Sequence, residues 1–248
     1  MADELQILRK RFKELNERSY NRGVYTYSDF LGMHEQTVLY EEMKYGFQLH
    51  GGYPDAERCV AVFGNSDDLG YEPTLPVQLI EISPLSQKFS DDLTHRDFLG
   101  SLMGLGIKRE TLGDIIISGN KGYLFCLDSI GQYIIDNLTK VRHTSVSCSF
   151  TDSLPVDALP KPKESVIIVQ SMRLDGLVSA VYNMSRSKSS ALVDGEKVFI
   201  NGRLSKSSSK PVETGDIVSV RGHGRFKILD ILGDTRKGRI RIKCEIYK

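Results

Sequence analysis

The 248-residue sequence has no tryptophan and only four cysteines, none of them in a C-x-x-C pair. Cys59, Cys126, Cys148 and Cys244 each fall in an apolar, strand-like stretch. A reduced thiol there serves as a small hydrophobic side chain rather than as a redox centre or metal ligand. The five histidines are scattered, with no H-x-x-x-H and no cysteine at ligand spacing, so no metal site is expected. No apolar run approaches the roughly 18–20 residues that cross a bilayer. The start, Met1-Ala2-Asp3-Glu4, lacks the apolar core of a signal peptide. A P-loop, a G-x-S-x-G elbow and a paired-carboxylate signature are all missing. The expectation is a cytoplasmic, non-catalytic protein with no cofactor and no membrane partner.

What is present is a charge asymmetry. The formal net charge is only +1, yet residues 173–248 hold 16 Lys and Arg against 8 Asp and Glu. Residues 1–172 hold 17 against 24. A basic module for a polyanion, attached to an acidic body, follows from that split; solvated surface charge is the bland alternative.

Periodicity outlines the rest. Leu5, Leu8, Phe12 and Leu15 place a helix over about residues 3–17, with Arg9, Lys10, Arg11 and Lys13 on its solvated side. A second helix is expected over 35–44, then strands at 46–50 and 58–63 around a Gly-Gly-Tyr-Pro-Asp turn. From residue 77 the order reads β-α-β-β-α-β, a ferredoxin-like or RRM-like unit. Its strands are 77–82, 115–118, 123–127 and 144–150. Its first helix is capped by Thr94 with Asp97, and its second by Ser129 with Gln132. Pro155, Pro160 and Pro162 then favour an extended linker over 152–165, followed by a strand at 164–170.

The C-terminal stretch is the most informative. Leu174, Leu177, Val178, Val181 and Tyr182 define an amphipathic helix, and Ser185 caps a second one that Gly195 stops. A strand at 197–200 turns at Asn201-Gly202, a Ser/Lys-rich loop follows, and 217–220 is another strand. Arg173, Arg186, Lys188, Arg203, Lys206 and Lys210 sit at helix starts and in the loop. Beside free backbone N–H groups, such cations suit phosphate contacts.

Arg173-Leu174-Asp175, Ser185-Arg186, the run from Gly195 to Gly202 and Val212-Glu213-Thr214-Gly215-Asp216 together resemble the S4 RNA-binding motif. The stretch from Thr94 to Asp114 and Arg221-Gly222-His223-Gly224-Arg225-Phe226 extend the similarity, over nearly the whole chain, to the YlmH family of bacterial S4-containing proteins. That resemblance implies an α+β chain in four parts: a helical and hairpin region (1–70), a ferredoxin-like RNA-binding domain (71–152), a Pro-rich linker and connecting strand (153–171), and an S4 domain with a C-terminal hairpin (172–248). It also implies a role in ribosome-associated quality control, with 23S rRNA, tRNA and the large ribosomal subunit as partners.

Three sharper motifs remain. Asp175 echoes the catalytic aspartate of pseudouridine synthases, but here the triplet follows Met172 and precedes Gly-Leu-Val, which makes it a helix-start charge and partner of Arg173. Lys121-Gly122-Tyr123-Leu124-Phe125 echoes an RNP1 strand, making Lys121 and Tyr123 candidate RNA contacts, with core packing the alternative. Gly104-Leu105-Gly106-Ile107-Lys108-Arg109 reads as a helix stop, with Lys108 and Arg109 as secondary phosphate contacts. The rivals to RNA binding are an RNA-modifying enzyme anchored by the basic domain, and a protein-docking platform built on the acidic body.

Overall fold

The structure, a computed structural model, describes residues 2–54, 56–86, 91–159 and 161–247. Asp55 of the expected turn and Pro160 of the expected linker lie outside the described residues. The chain forms two compact units, Met1–Leu159 and Pro160–Lys248.

The first unit opens with α1 (Ala2–Arg22), β1 (Thr26–Leu31), α2 (Met33–Glu42), β2 (Phe47–His50), β3 (Cys59–Phe63) and the short α3 (Ser66–Leu69). α1 runs a full turn past the expected end because Ser19 extends the buried stripe of Phe12 and Leu15. Its hydroxyl is satisfied by donating to the Phe63 carbonyl at 3.0 Å. The strands pair in the order β1-β3-β2, with α1 and α2 packed on one face around Phe12, Leu39 and Phe63.

Next come β4 (Val77–Pro84), α4 (His95–Gly104), a 3-10 turn (Arg109–Thr111), β5 (Leu112–Ser118), β6 (Lys121–Leu127), α5 (Asp128–Asn137), β7 (Lys140–Val141) and β8 (Thr144–Phe150). They build an antiparallel sheet in the order β5-β6-β4-β8-β7. Ile80, Ile82, Leu124 and Cys126 pack beneath Phe98 and Leu102 of α4 and Ile134 of α5. The helix start at Thr94 forms as expected: its amide and its hydroxyl both donate to Asp97 Oδ2, at 2.8 and 2.7 Å. The one at Ser129 does not. α5 begins at Asp128 with Leu127 at the cap, and Gln132 Nε2 donates forward to Asp136.

The opposite face of this sheet is where the two halves of the unit merge. Phe30 and Val60 of the first sheet share a hydrophobic cluster with Ile116, Tyr123, Phe125 and Leu127, and Ala158 closes it from the expected linker. Segments 1–70 and 71–152 therefore share a core, and residues 154–159 lie against it.

The second unit contains β9 (Lys163–Val169), α6 (Leu174–Val181), α7 (Arg186–Asp194), β10 (Val198–Ile200), β11 (Arg203–Leu204), β12 (Ile217–Val220), β13 (Gly224–Asp234) and β14 (Ile240–Tyr247). The sheet order is β11-β10-β12-β13-β14-β9. Leu174, Leu177, Val178 and Val193 of the helix pair fill one face with Val198, Val218, Phe226, Ile242 and Ile167. Asn201 and Gly202 have φ of 50° and 74°, the paired positive values that close a tight two-residue hairpin.

Candidate nucleic-acid interface

The site is built around the starts of α6 and α7. Arg173 precedes α6 and reaches forward to Asp175, Nε to Oδ1 at 3.2 Å and Nη2 to Oδ2 at 3.1 Å. Burial pushes the Asp175 carboxyl up. The Arg173 hydrogen bonds, the Gly176 amide at 2.8 Å and the nearby Arg186 charge outweigh that and hold it below the usual carboxylate range. The remaining amides of this turn are also used: Leu174 N donates to Lys210 O, Asp175 N to Ser208 O, and Leu177 N to Arg173 O. The free N–H groups expected at α6 are therefore engaged, and what they hold is the Ser/Lys loop carrying Lys206 and Lys210.

α7 differs. Ser185 caps it by accepting from Lys188 N at 3.2 Å, but the Arg186 and Ser187 amides form no hydrogen bond among the described residues. Ser189 is buried and donates to the Asp175 carbonyl at 2.7 Å, which locks the two helices together. Arg186 lies over the first turn of α6: a Cβ at Gly176 would sit 3.2 Å from its Nη2. Arg186, Lys188 and Lys210 are exposed, and none of the three side chains forms an ion pair within the described residues. Arg203 and Lys206 are exposed on β11 and the loop, which is stitched by Ser205, Ser207 and Ser209. The structure thus gathers Arg173, Arg186, Lys188 and Lys210 about two helix starts, with Arg173 already neutralised by Asp175.

Of the two middle-domain candidates, Tyr123 is a correction, whereas Lys121 remains at the surface in an ion pair. Tyr123 is 4% exposed, and its ring belongs to the cluster beneath Phe30 and Val60, so it offers no face to a base. Phe125 is covered by Tyr53, stacked at 5.1 Å between ring centroids. Gly52 passes so close that a Cβ there would lie 2.3 Å from the Phe125 ring. Lys121 is held by Glu81 at 2.7 Å. What stays open on this sheet face is β8, where Ser145, Ser147 and Ser149 are exposed. Arg109 also turns inward. Its Nη1 donates to Leu112 O at 2.7 Å, and burial, reinforced by Arg58, pushes its pKa down to about 10.

The cysteines behave as packing residues: burial pushes the thiols of Cys59 and Cys126 up to about 12 and that of Cys148 to about 11. Among the described residues no helix is long and apolar enough to cross a membrane.

Residues 73–153, the five-stranded sheet with its helices, match the family described as "Putative RNA-binding domain in YlmH". The Bacillus subtilis (strain 168) protein "Ribosome-associated protein quality control protein P2" is 31% identical over 228 residues, covering 89% of this chain and 87% of that protein. The chain belongs to the YlmH family. A solved structure, "Cell division protein ylmH from Streptococcus pneumoniae", is 21% identical, covers 60% of this chain and 91% of its own, and superposes with a TM-score of 0.47. The YlmH domain match ends at 153, so the exposed cations around α6 and α7 lie outside it.

Proposed function

We propose that this YlmH protein binds structured RNA without catalysing a reaction on it, and that its C-terminal unit is an S4-type domain gripping the phosphate backbone. The observation that carries this reading is the start of α7, where exposed Arg186 and Lys188 stand beside two amides that form no hydrogen bond among the described residues. Cations and helix N–H groups arranged this way suit a phosphate oxygen. The Bacillus subtilis relative carries ribosome association in its name. We take the ligand to be rRNA and tRNA on the large ribosomal subunit in the cytoplasm, within quality control of stalled translation.

The RNA-modifying alternative needs an available acid or nucleophile. Asp175 is its candidate, and that carboxylate is spent on Arg173 and the Gly176 amide. The test is affinity for a folded RNA hairpin across a salt series. Each phosphate contact adds roughly 0.7–0.9 to the log–log slope, so a steep fall is expected and a flat response overturns the reading.

A further inference from the structure

β13 and β14 continue well beyond β12 at one end of the second unit's sheet, with β9 paired alongside β14 up to Val169↔Ile240. β12 pairs with β13 only as far as Ile217↔Lys227, whereas β13 and β14 remain paired out to Asp234↔Ile240. At about 3.3 Å per residue, these strands run roughly 20 Å past the last β12 rung, so that the turn joining them lies at the far end of the sheet. The tip is a fixed turn. Thr235 N donates to Arg239 O at 2.7 Å, Gly238 N to Thr235 O at 2.9 Å, and Arg239 N to Thr235 Oγ1 at 3.1 Å, with Gly238 at φ +67°. The turn presents Arg236, Lys237 and Arg239, with Arg241 just behind. All four are exposed, and none of these side chains forms a hydrogen bond or ion pair among the described residues. That distinguishes them from Arg173, held by Asp175, and from Lys243, held by Glu164 at 3.0 Å.

The position of the tip matters as much as its charge. Val169, the last residue of β9, pairs with Ile240, so the chain leaves the sheet for α6 at the end where the tip lies. Four residue steps separate Val169 from Arg173, at most about 14 Å of extended chain. Basic tip and helix starts therefore share one end of one unit.

We propose that the β13–β14 tip is a second RNA-backbone contact, engaging phosphates of the same folded RNA that α7 grips; this rests on the RNA-binding function proposed above. The chemistry favours a polyanion over a protein surface. From Thr235 to Arg239 the turn carries three cations and no apolar side chain, whereas the core of a protein interface is depleted in charge. A turn fixed before binding loses little backbone freedom on contact, and two contacts on one unit make the second intramolecular. The readout is independent of base sequence, because phosphate contacts position a protein without specifying bases.

The experiment uses the full chain and two RNA hairpins with the same stem length but permuted base pairs. The variant R236Q/K237Q/R239Q is compared with wild type, with R186Q/K188Q and with R11Q/R18Q/R22Q, which removes three charges from α1. Circular dichroism melting confirms that each is folded. The tip variant should lower the salt slope by about 2–3 on both hairpins, at roughly 0.7–0.9 per contact, while the α1 variant leaves it near wild type. Wild-type binding by the tip variant, alongside a loss in R186Q/K188Q, overturns the tip contact and leaves the function standing. An equal fall in the α1 variant, or a loss confined to one hairpin, also overturns it. Failure of the wild type to bind either hairpin removes the function itself.

Discussion

Arg173 and Asp175, two residues apart, close a bidentate ion pair in which the carboxylate is 8% exposed and the guanidinium 46%. The same carboxylate caps the Gly176 amide, so one side chain ties the strand-to-helix corner to the first turn of α6. Its role is to hold the site's geometry.

Asp175→Ala should accordingly destabilise the protein by about 1.5–3 kcal/mol, the usual worth of hydrogen bonds to a charged group. The folded protein binds the Asp175 proton more weakly than the unfolded chain does. The stabilisation is therefore full above the unfolded pKa of about 3.9 and fades as pH falls through the lower folded value. Urea midpoints of wild type and Asp175→Asn should converge below about pH 4. A constant gap down to pH 2 would show that the charge is not the source. Cellular RNA modification should be the same in Asp175→Asn as in wild type; loss of a specific pseudouridine would restore the enzyme reading.

Tyr123→Ala should cost about 3–5 kcal/mol, the range for deleting a buried aromatic ring. Tyr123→Phe, which keeps the ring, should bind an RNA hairpin as wild type does. A clear affinity loss in the phenylalanine variant at unchanged stability would reopen the middle sheet as a base-stacking platform.

The contrast between these residues shows what was legible in the sequence. Alternation on β6 placed Tyr123 and Phe125 on one face, which is how the sheet presents them. Periodicity says only that a face is apolar, and the partner that buries it, Phe30 on β1, lies 93 positions away in a strand without clear alternation. Local chemistry read better when both halves of a signal were short-range. Thr94 and Asp97 formed their pair, whereas Ser129 and Gln132 had the right spacing but sat one residue inside the helix. The exposed C-terminal cations were visible as charge. That α6 would use its own amides and α7 would not depends on where Lys210 and Ser208 fold back, which no local pattern encodes.

Gly52→Ala tests how tightly the first unit's two sheets are joined. Gly52 has φ +92°, and a methyl group there would meet the Phe125 ring. Backbone strain and overpacking together should cost about 2–4 kcal/mol. The change should appear as a lowered melting temperature of the full chain. An unshifted melt would mean that the 51–54 loop moves aside freely and that the cover over Phe125 is loose.

The last prediction concerns the assembly on which the RNA contacts would act. The full-length protein should co-sediment with purified large ribosomal subunits, and more strongly with subunits that retain a tRNA than with empty ones. Two contacts fixed on one unit give useful affinity where the RNA surfaces are correctly spaced, and an assembled subunit holds rRNA and tRNA at one spacing whereas free RNA does not. Because Lys121 is held by Glu81 and Tyr123 is buried, this selectivity should survive Lys121→Ala. It should fall when Arg186 and Lys188 are both changed to alanine, by about 1–3 kcal/mol of binding free energy, with the melting temperature unchanged. Sedimentation through sucrose at two salt concentrations, with the protein quantified in the subunit fraction, is the measurement. Equal retention on empty and tRNA-bearing subunits would remove tRNA sensing while leaving ribosome binding intact. Retention lost with Lys121→Ala would return the contact to the YlmH domain and away from the helix pair.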